Sequence, residues 1–285
     1  MTTQQSASAQ HQVDLHSHSL ASDGTLSPTA LIALAASRGV RVLALTDHDT
    51  TAGVAEAHAA GRDAGVELIP GVEISCDLNG RDVHILGLFI DPSAAPLAAL
   101  LDAARAEREV AADRMHRRLA SLGVPVDPDE VAAHATGDSV GRPHFARALV
   151  ARGHVSSMRQ AFERFLGDGR PAHVWRDRPS IEAGIAAIKG SGGLALAAHP
   201  AAYSQPLSQE TLHALRREGL DGIETLHPSH SPRHRRRYTK IAEAADMAIS
   251  GGSDFHGTRE GAPPGTVGLD DEQWVALAGR AGHPH

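Results

Sequence analysis

With a single cysteine, Cys76, the chain of 285 residues cannot form an intramolecular disulfide, and one thiol is too few for an iron–sulfur cluster. Nowhere does it reach the roughly 20 consecutive apolar residues that a membrane helix needs. It also lacks an excess of positive charge. Its 27 Lys and Arg against 34 Asp and Glu give a net −7, so bulk electrostatics do not recruit nucleic acid and any nucleotide chemistry must be local. The leader from Met1 to Gln10 lacks the apolar core of a signal peptide. These absences point to a cytoplasmic protein with no membrane contact and no obligate protein partner in view.

The remainder is ordinary globular material, 41% hydrophobic and 21% charged, long enough for one large α/β domain or two modest ones. Histidine is the exception: there are 19, roughly three times what average composition would supply.

Short apolar runs alternate with helical stretches from Val13 onward. Strands are expected at Val13 to His16, Val42 to Thr46, Val66 to Ile74 and Val83 to Ile90, the last after an Asn79-Gly80 turn. Ser27-Pro28 reads as an N-cap followed by proline in the first helical turn, with Gly39 closing that helix. The rhythm resumes with strands at Leu194 to Ala198, Gly222 to Leu226 and Met247 to Ser250, each preceded or followed by a helix. Such alternation argues for a parallel sheet, open or closed into a barrel. Between about Pro96 and Val174 only helices are expected, at Leu97 to Leu122, Arg142 to Arg152 and Ser157 to Phe165. The expected organisation is therefore a barrel in two parts, residues 11–95 and 176–285, around a helical insertion of residues 96–175.

Ligand-type side chains collect at the strand ends, where α/β folds build active sites. His16 and His18 lie two apart, so both project from one face and can grip one ion, and Asp23 follows in a Ser-Asp-Gly turn. The second strand ends in Thr46-Asp47-His48-Asp49, and the third carries Glu73. His84 stands within an apolar strand, His199 precedes Pro200, and Glu224 lies in the next strand with His227 and His230 just beyond. The last strand delivers Asp254 and His256 after two glycines that allow close backbone approach. Imidazoles and carboxylates without thiolate suit Mn, Fe or Zn. There are too many donors for one ion, and a carboxylate such as Glu73 can bridge two, so two or three divalent metal ions are expected. Closely spaced ions suit hydrolysis of a phosphoester, since they supply hydroxide near neutral pH and neutralise charge on the phosphoryl oxygens.

The motifs Asp14-Leu15-His16-Ser17-His18, Ser22-Asp23-Gly24, Thr46-Asp47-His48, Gly71-Val72-Glu73, His84, Ala198-His199-Pro200 and Gly252-Ser253-Asp254-Phe255-His256 together resemble the PHP (polymerase and histidinol phosphatase) family. The likeness spans about Val13 to Ile90 and Ile181 to Thr258. It implies a distorted seven-stranded (β/α) barrel with a trinuclear metal site. Carried over by position, it implies that His16, His18, Glu73 and Asp254 hold one metal, Asp23, His48 and His256 a second, and Glu73, His84 and His199 a third. His16, His18, Asp23, His48, Glu73, His199, Asp254 and His256 would then carry the reaction.

Within that family, the segment Val140 to Arg147 is similar to the nucleotide phosphoesterase branch related to 3′,5′-nucleoside bisphosphate phosphatase, some members of which trim 5′ ends of short RNA. Arg142 offers a planar fork for a phosphate and His144 a second donor, so the insertion is expected to clamp a distal phosphate. His230 resembles a position near the phosphate and is expected to touch substrate. Arg233, Arg235, Arg236 and Arg237 read as a solvated helix surface. The expected substrate is thus a small phosphorylated nucleotide or the end of a short RNA. A histidinol-phosphate-type phosphatase, or a catalytically silent metal-stabilised module, remain as alternatives.

Overall fold

The computed structural model describes residues 11–134, 140–257 and 262–283; the leader of residues 1–10 and Thr258 lie outside them. Seven strands form one sheet in sequence order: β1 (Val13–Asp14), β2 (Val42–Leu45), β3 (Glu67–Asp77), β4 (Asp82–Leu88), β5 (Leu194–Ala197), β6 (Gly222–Leu226) and β7 (Ala248–Gly251). Its two edges come together where Leu15 N–H donates to Gly251 O and Asp254 N–H to His16 O, at 3.1 and 2.9 Å. The result is a nearly closed barrel. Gly252 permits this approach, because a Cβ there would lie 2.4 Å from His16 N.

One expectation needs correction. The sheet is not wholly parallel: β4 runs antiparallel to both β3 and β5. The physical reason is the Asn79-Gly80 connection, with Asn79 at φ 54° and Gly80 at φ 77°, which reverses the chain in a hairpin and leaves no room for a crossover helix. The reversal has a consequence for the site. His84, near the start of β4, pairs in register with Ser75 near the end of β3, so it reaches the same rim as the C-terminal ends of its neighbours.

Helices clothe the barrel. Helices α1 (Pro28–Ser37) and α2 (Val54–Ala64) precede β2 and β3, α7 (Ile181–Gly190) precedes β5, and α8 (Gln209–Arg217) and α9 (Pro232–Ala244) precede β6 and β7. The Ser27 hydroxyl accepts from Ala30 N–H, as an N-cap should. Helix α10 (Asp271–Arg280), absent from the sequence-based expectation, brings Trp274 and Leu277 against Val13, Leu15, Ile69, Leu86, Leu88 and Leu196, closing the end of the barrel away from the site. Alternation does the rest. Ile69 and Glu73 on β3, and Leu88, Leu86 and His84 on β4, share faces, so apolar residues fill one end and polar ones line the other.

Between β4 and α7 the described residues form helices α3 (Ala95–Ser121), α4 (Pro128–His134), α5 (Arg142–Ala151) and α6 (Met158–Ala161), the last running into a π-turn over Phe162–Leu166. Ala111, Met115 and Leu119 of α3 pack with Val131, Phe145, Leu149 and Leu166 in a core of their own. Leu97 and Leu101, earlier on α3, instead join Ile181, Ile185 and Ile188 of the barrel. One continuous helix thus serves both bodies. Among the described residues no helix is long and apolar enough to cross a membrane.

Candidate active site

Main-chain and side-chain contacts fix the local geometry before any ligand is considered. Ser17, between the two histidines, turns the other way and donates its hydroxyl to Ala44 O at 2.6 Å, so His16 and His18 face the barrel mouth together. Asp14 clamps the backbone rather than joining them, accepting from Ser253 N–H at 2.9 Å and Gly265 N–H at 2.8 Å. Asp47 accepts from Ser19 N–H, Ser19 Oγ and Ser22 Oγ at 2.6 to 2.7 Å, which pins the turn that aims Asp23. His199 and Asp254 sit at φ 27° and 51°, left-handed conformations that non-glycine residues seldom adopt and that cluster at functional sites.

Glu73 is the hub. It is fully buried, with Oε1 2.9 Å from both His84 Nδ1 and His199 Nε2, and Oε2 3.2 to 3.3 Å from His16 Nε2, His18 Nε2 and His48 Nδ1. Burial alone would raise its carboxyl, but the surrounding imidazoles hold it well below the usual carboxylate range. Asp23 and Asp254 are lowered for the same reason, burial being outweighed by their histidine neighbours.

The donor set fits metal ions. His16 Nδ1 lies 2.8 Å from Glu224 Oε1; that carboxylate can only accept, so Nδ1 carries a proton and Nε2 is the ring atom turned to the cluster, open to a metal once it gives up any proton of its own. His256 Nδ1 likewise donates to Asp254 O at 2.8 Å, leaving its Nε2 toward Asp23 Oδ1 at 3.4 Å. Around the first group the separations are His16 Nε2 to His18 Nε2 3.1 Å, His16 Nε2 to Glu73 Oε2 and Asp254 Oδ1 3.2 Å each, and His18 Nε2 to the same two oxygens 3.3 and 3.1 Å. Donors held about 2.1 Å from one ion stand roughly 3.0 to 3.4 Å apart in octahedral or tetrahedral geometry. Neutral imidazoles would turn lone pairs to carboxylates at these distances, a repulsion relieved by a proton on the ring or by a metal ion between the donors.

Three groups have donor atoms within 4.8 Å of one another: His16, His18, Glu73 and Asp254; His18, Asp23, His48 and His256; and His48, Glu73 and His84. The structure therefore brings all nine sequence-selected donors into one cluster, with His199 joined through Glu73.

Beside His48 and His84, under the helical insertion, lies a cavity of about 230 Å³ lined by four arginines: Arg108, Arg142, Arg176 and Arg178. Arg108 and Arg176 share Asp49 Oδ2, the former at 2.5 and 2.8 Å and the latter at 3.2 and 3.3 Å. Arg178 donates to Asp82 Oδ2 at 2.7 Å, while its buried Nε and Nη1 have no partner. Arg142 donates to Asp168 Oδ1 at 2.8 Å and Asp82 Oδ2 at 3.5 Å. The cationic groups outnumber the carboxylates paired with them, so the cavity suits an anion.

His144 and His230 are placed elsewhere. His144 is buried at the start of α5, its Nδ1 accepting Gly141 N–H at 2.9 Å, and it does not line the cavity. Both ring nitrogens of His230 are occupied by main chain: Nδ1 donates to Thr225 O at 3.0 Å and Nε2 accepts Ala201 N–H at 3.2 Å. Burial depresses both imidazoles, His144 to about 4. Several residues that face the site were given no role in the sequence reading, Glu224 and His227 being named there only as strand-end side chains and Arg108, Arg176 and Arg178 not at all. Glu224 also accepts His199 N–H at 2.6 Å, and His227 Nε2 lies 3.1 Å from Asp254 Oδ2. A lone carboxylate inside the apolar run Gly222 to Leu226 was a usable signal for Glu224. Arg108, one charge among many on α3, and Arg176 and Arg178, in an irregular stretch, carried none.

Comparison with known proteins agrees with this geometry. The PHP domain family matches residues 14–166. Over 245 residues the chain is 42% identical to a 5′-3′ exoribonuclease of Haemophilus influenzae, covering 85% of this chain and 89% of the relative. Over 252 residues it is 38% identical to a 3′,5′-nucleoside bisphosphate phosphatase of Chromobacterium violaceum, covering 87% and 88%. A crystal structure of a candidate metal-dependent phosphoesterase from Bifidobacterium adolescentis superposes with a TM-score of 0.89 at 35% identity, covering 95% and 96%. The chain belongs to the PHP domain family and is a metal-dependent phosphoesterase of that type.

Proposed function

We propose that the protein hydrolyses the 3′-phosphoester of a nucleotide that also bears a 5′-phosphate, foremost a 3′,5′-nucleoside bisphosphate and also the 5′ end of short RNA. The observation that carries this reading is the four-arginine cavity opening directly onto His48 and His84. A substrate with one phosphate at the donor cluster has use for such a cavity only if it carries a second anion. The names of the two relatives fit the same pair of substrates.

Three ions have donors in this chain: His16, His18, Glu73 and Asp254 for one, Asp23, His48 and His256 for a second, and Glu73, His84 and His199 for a third. When bound, Mn, Fe or Zn ions would acidify water and offset charge on the phosphoryl oxygens. The protein's own part is orientation. Glu224 sets the His16 tautomer, His227 holds Asp254, and Tyr203 Oη accepts His84 N–H at 2.8 Å, keeping that ring at the cavity wall. Arg108, Arg142, Arg176 and Arg178 hold the 5′-phosphate and thereby place the 3′-phosphate at the donor cluster, an entropic advantage of fixed geometry.

A test is phosphate release from adenosine 3′,5′-bisphosphate, histidinol phosphate and a 5′-phosphorylated oligoribonucleotide, combined with metal analysis of the purified protein. Preference for the first and third is expected. Preference for histidinol phosphate would overturn the reading.

A further inference from the structure

Past His84 the cleft has a second branch. Beyond the Asp82–Arg178 pair lies a second cavity of about 520 Å³, which shares Asp82, His84, Arg142 and Arg178 with the first. Two aromatic side chains line it: Tyr203, whose Oη accepts the main-chain N–H of His84, and Trp175. The chain has two tryptophans, and they are opposites: Trp274 is 3% exposed in the barrel core, whereas Trp175 is 46% exposed. Trp175 is also held in place, with Arg178 Cζ 5.1 Å from its ring centroid in a cation–π contact. On its other side the ring borders a third hollow of about 350 Å³, where Arg114 and Arg118 of α3 stand with Glu107 and Asp177.

An aromatic ring presented to water among arginines, in a cavity that borders the donor cluster at His84, is how proteins hold single-stranded nucleic acid: bases stack and guanidinium groups follow the backbone. The overall charge of −7 makes such a local arrangement more pointed, since no general basic surface accounts for it. A buried alternative is also absent, because Trp175 belongs to none of the apolar cores formed by the described residues.

We propose that Trp175 is the stacking platform for the base of the second nucleotide of a single-stranded RNA substrate, and so a residue that separates RNA from a mononucleotide. This inference rests on the proposed reaction. In both substrates the same bond breaks: water oxygen bonds to phosphorus, the P–O3′ bond of the first nucleotide opens, and a proton from water ends on that 3′ oxygen. With a bisphosphate the second product is inorganic phosphate. With RNA the released phosphate stays on the 5′ end of the shortened chain, whose leading nucleoside is joined to the scissile phosphate at the donor cluster and must lie outside the first cavity; the second cavity borders that cluster at His84 and carries Trp175.

Tryptophan emission reads this directly. Metal-free protein is titrated with a 5′-phosphorylated RNA tetranucleotide and, separately, with adenosine 3′,5′-bisphosphate. The tetranucleotide should quench emission from Trp175, the bisphosphate should leave it near baseline, and Trp175→Phe should lose the quench while Trp274 still emits. With metal restored, Trp175→Ala should raise KM for the tetranucleotide about tenfold more than KM for the bisphosphate. Equal effects on the two substrates, or turnover of the tetranucleotide by a protein whose emission it never quenches, would overturn the proposal while leaving the reaction intact. A quench without phosphoester cleavage of either substrate would support the platform and overturn the reaction.

Discussion

Glu224 Oε1 accepts the Nδ1 hydrogen of His16 across 2.8 Å, joining residues 208 positions apart and leaving His16 Nε2 turned to the cluster. Glu224 is fully buried and its other oxygen holds His199 N–H. Replacing it with glutamine keeps an acceptor for His16 but removes the charge that stabilises the tautomer. Glu224→Gln should weaken metal binding about tenfold and Glu224→Ala by more, as outer partners of ligating histidines do. Competition with a chromophoric chelator measures this, and unchanged affinity in both variants would show that His16 needs no such support.

Direct removal of a donor is harsher. Asp254→Ala and His18→Ala should each abolish phosphoester hydrolysis, with activity reduced by on the order of a thousandfold or more, because each takes one corner from the tightest donor group. Turnover under saturating metal is the measurement. Persistence of near-normal kcat in either variant would place the chemistry elsewhere.

The metal-free protein should show a distinctive pH dependence. Burial opposes charge on His84 and His256, but Glu73 and Asp82 for the former, and Asp23 and Asp254 for the latter, outweigh it and hold each at about 10. Their unfolded value is near 6.5, so their contribution to stability is fully present below about pH 6.5 and is lost as pH rises through about 10. The Tm of chelator-treated protein should therefore fall across that window, while the metal-loaded Tm should not follow it. Metal binding at pH 7 to 8 should release protons, visible as a buffer-dependent heat in calorimetry.

Arg142→Ala should raise KM for adenosine 3′,5′-bisphosphate about tenfold and leave adenosine 3′-monophosphate little changed, since only the former carries the anion for the cavity. Stability should move little, because Asp168, the closer partner of Arg142, is largely open to solvent and the Asp82 contact is long at 3.5 Å. Equal loss on both substrates would remove Arg142 from recognition of the distal phosphate.

Gly184 on α7 lies so close to β3 that a Cβ would meet Cys76 Sγ at 2.6 Å. Gly184→Ala should lower stability by about 1–3 kcal/mol through overpacking. Burial also pushes the Cys76 thiol up, so it should resist thiol reagents until the protein unfolds. Rapid labelling of native protein would contradict this packing.

Much of the site was legible because its donors sit at the ends of strands, and a strand's period of two assigns a face without further information: His16 with His18, Ile69 with Glu73. The helix starts were equally plain, Ser27-Pro28 being a local device with a local effect. What escaped was long-range or irregular. The chain around Arg176 and Arg178 has no periodicity, helix α10 begins far along the chain from β7, the strand before it, and both ring nitrogens of His230 and Nδ1 of His144 bond to main chain, contacts with no signature in the sequence.

Sequence by itself determined the kinds of donor available, their spacing along the chain and the alternation that turns them to one rim, since these depend on neighbouring residues and backbone geometry alone. Only the tertiary structure decided that nine donors, Glu73 among them, gather from opposite ends of the chain into one cluster, that the reversal of β4 carries His84 to it, and that four arginines line a cavity beside it. Those outcomes come from sheet closure and from packing the insertion across the barrel mouth, and distances between remote residues are set by such packing and by nothing written locally in the chain.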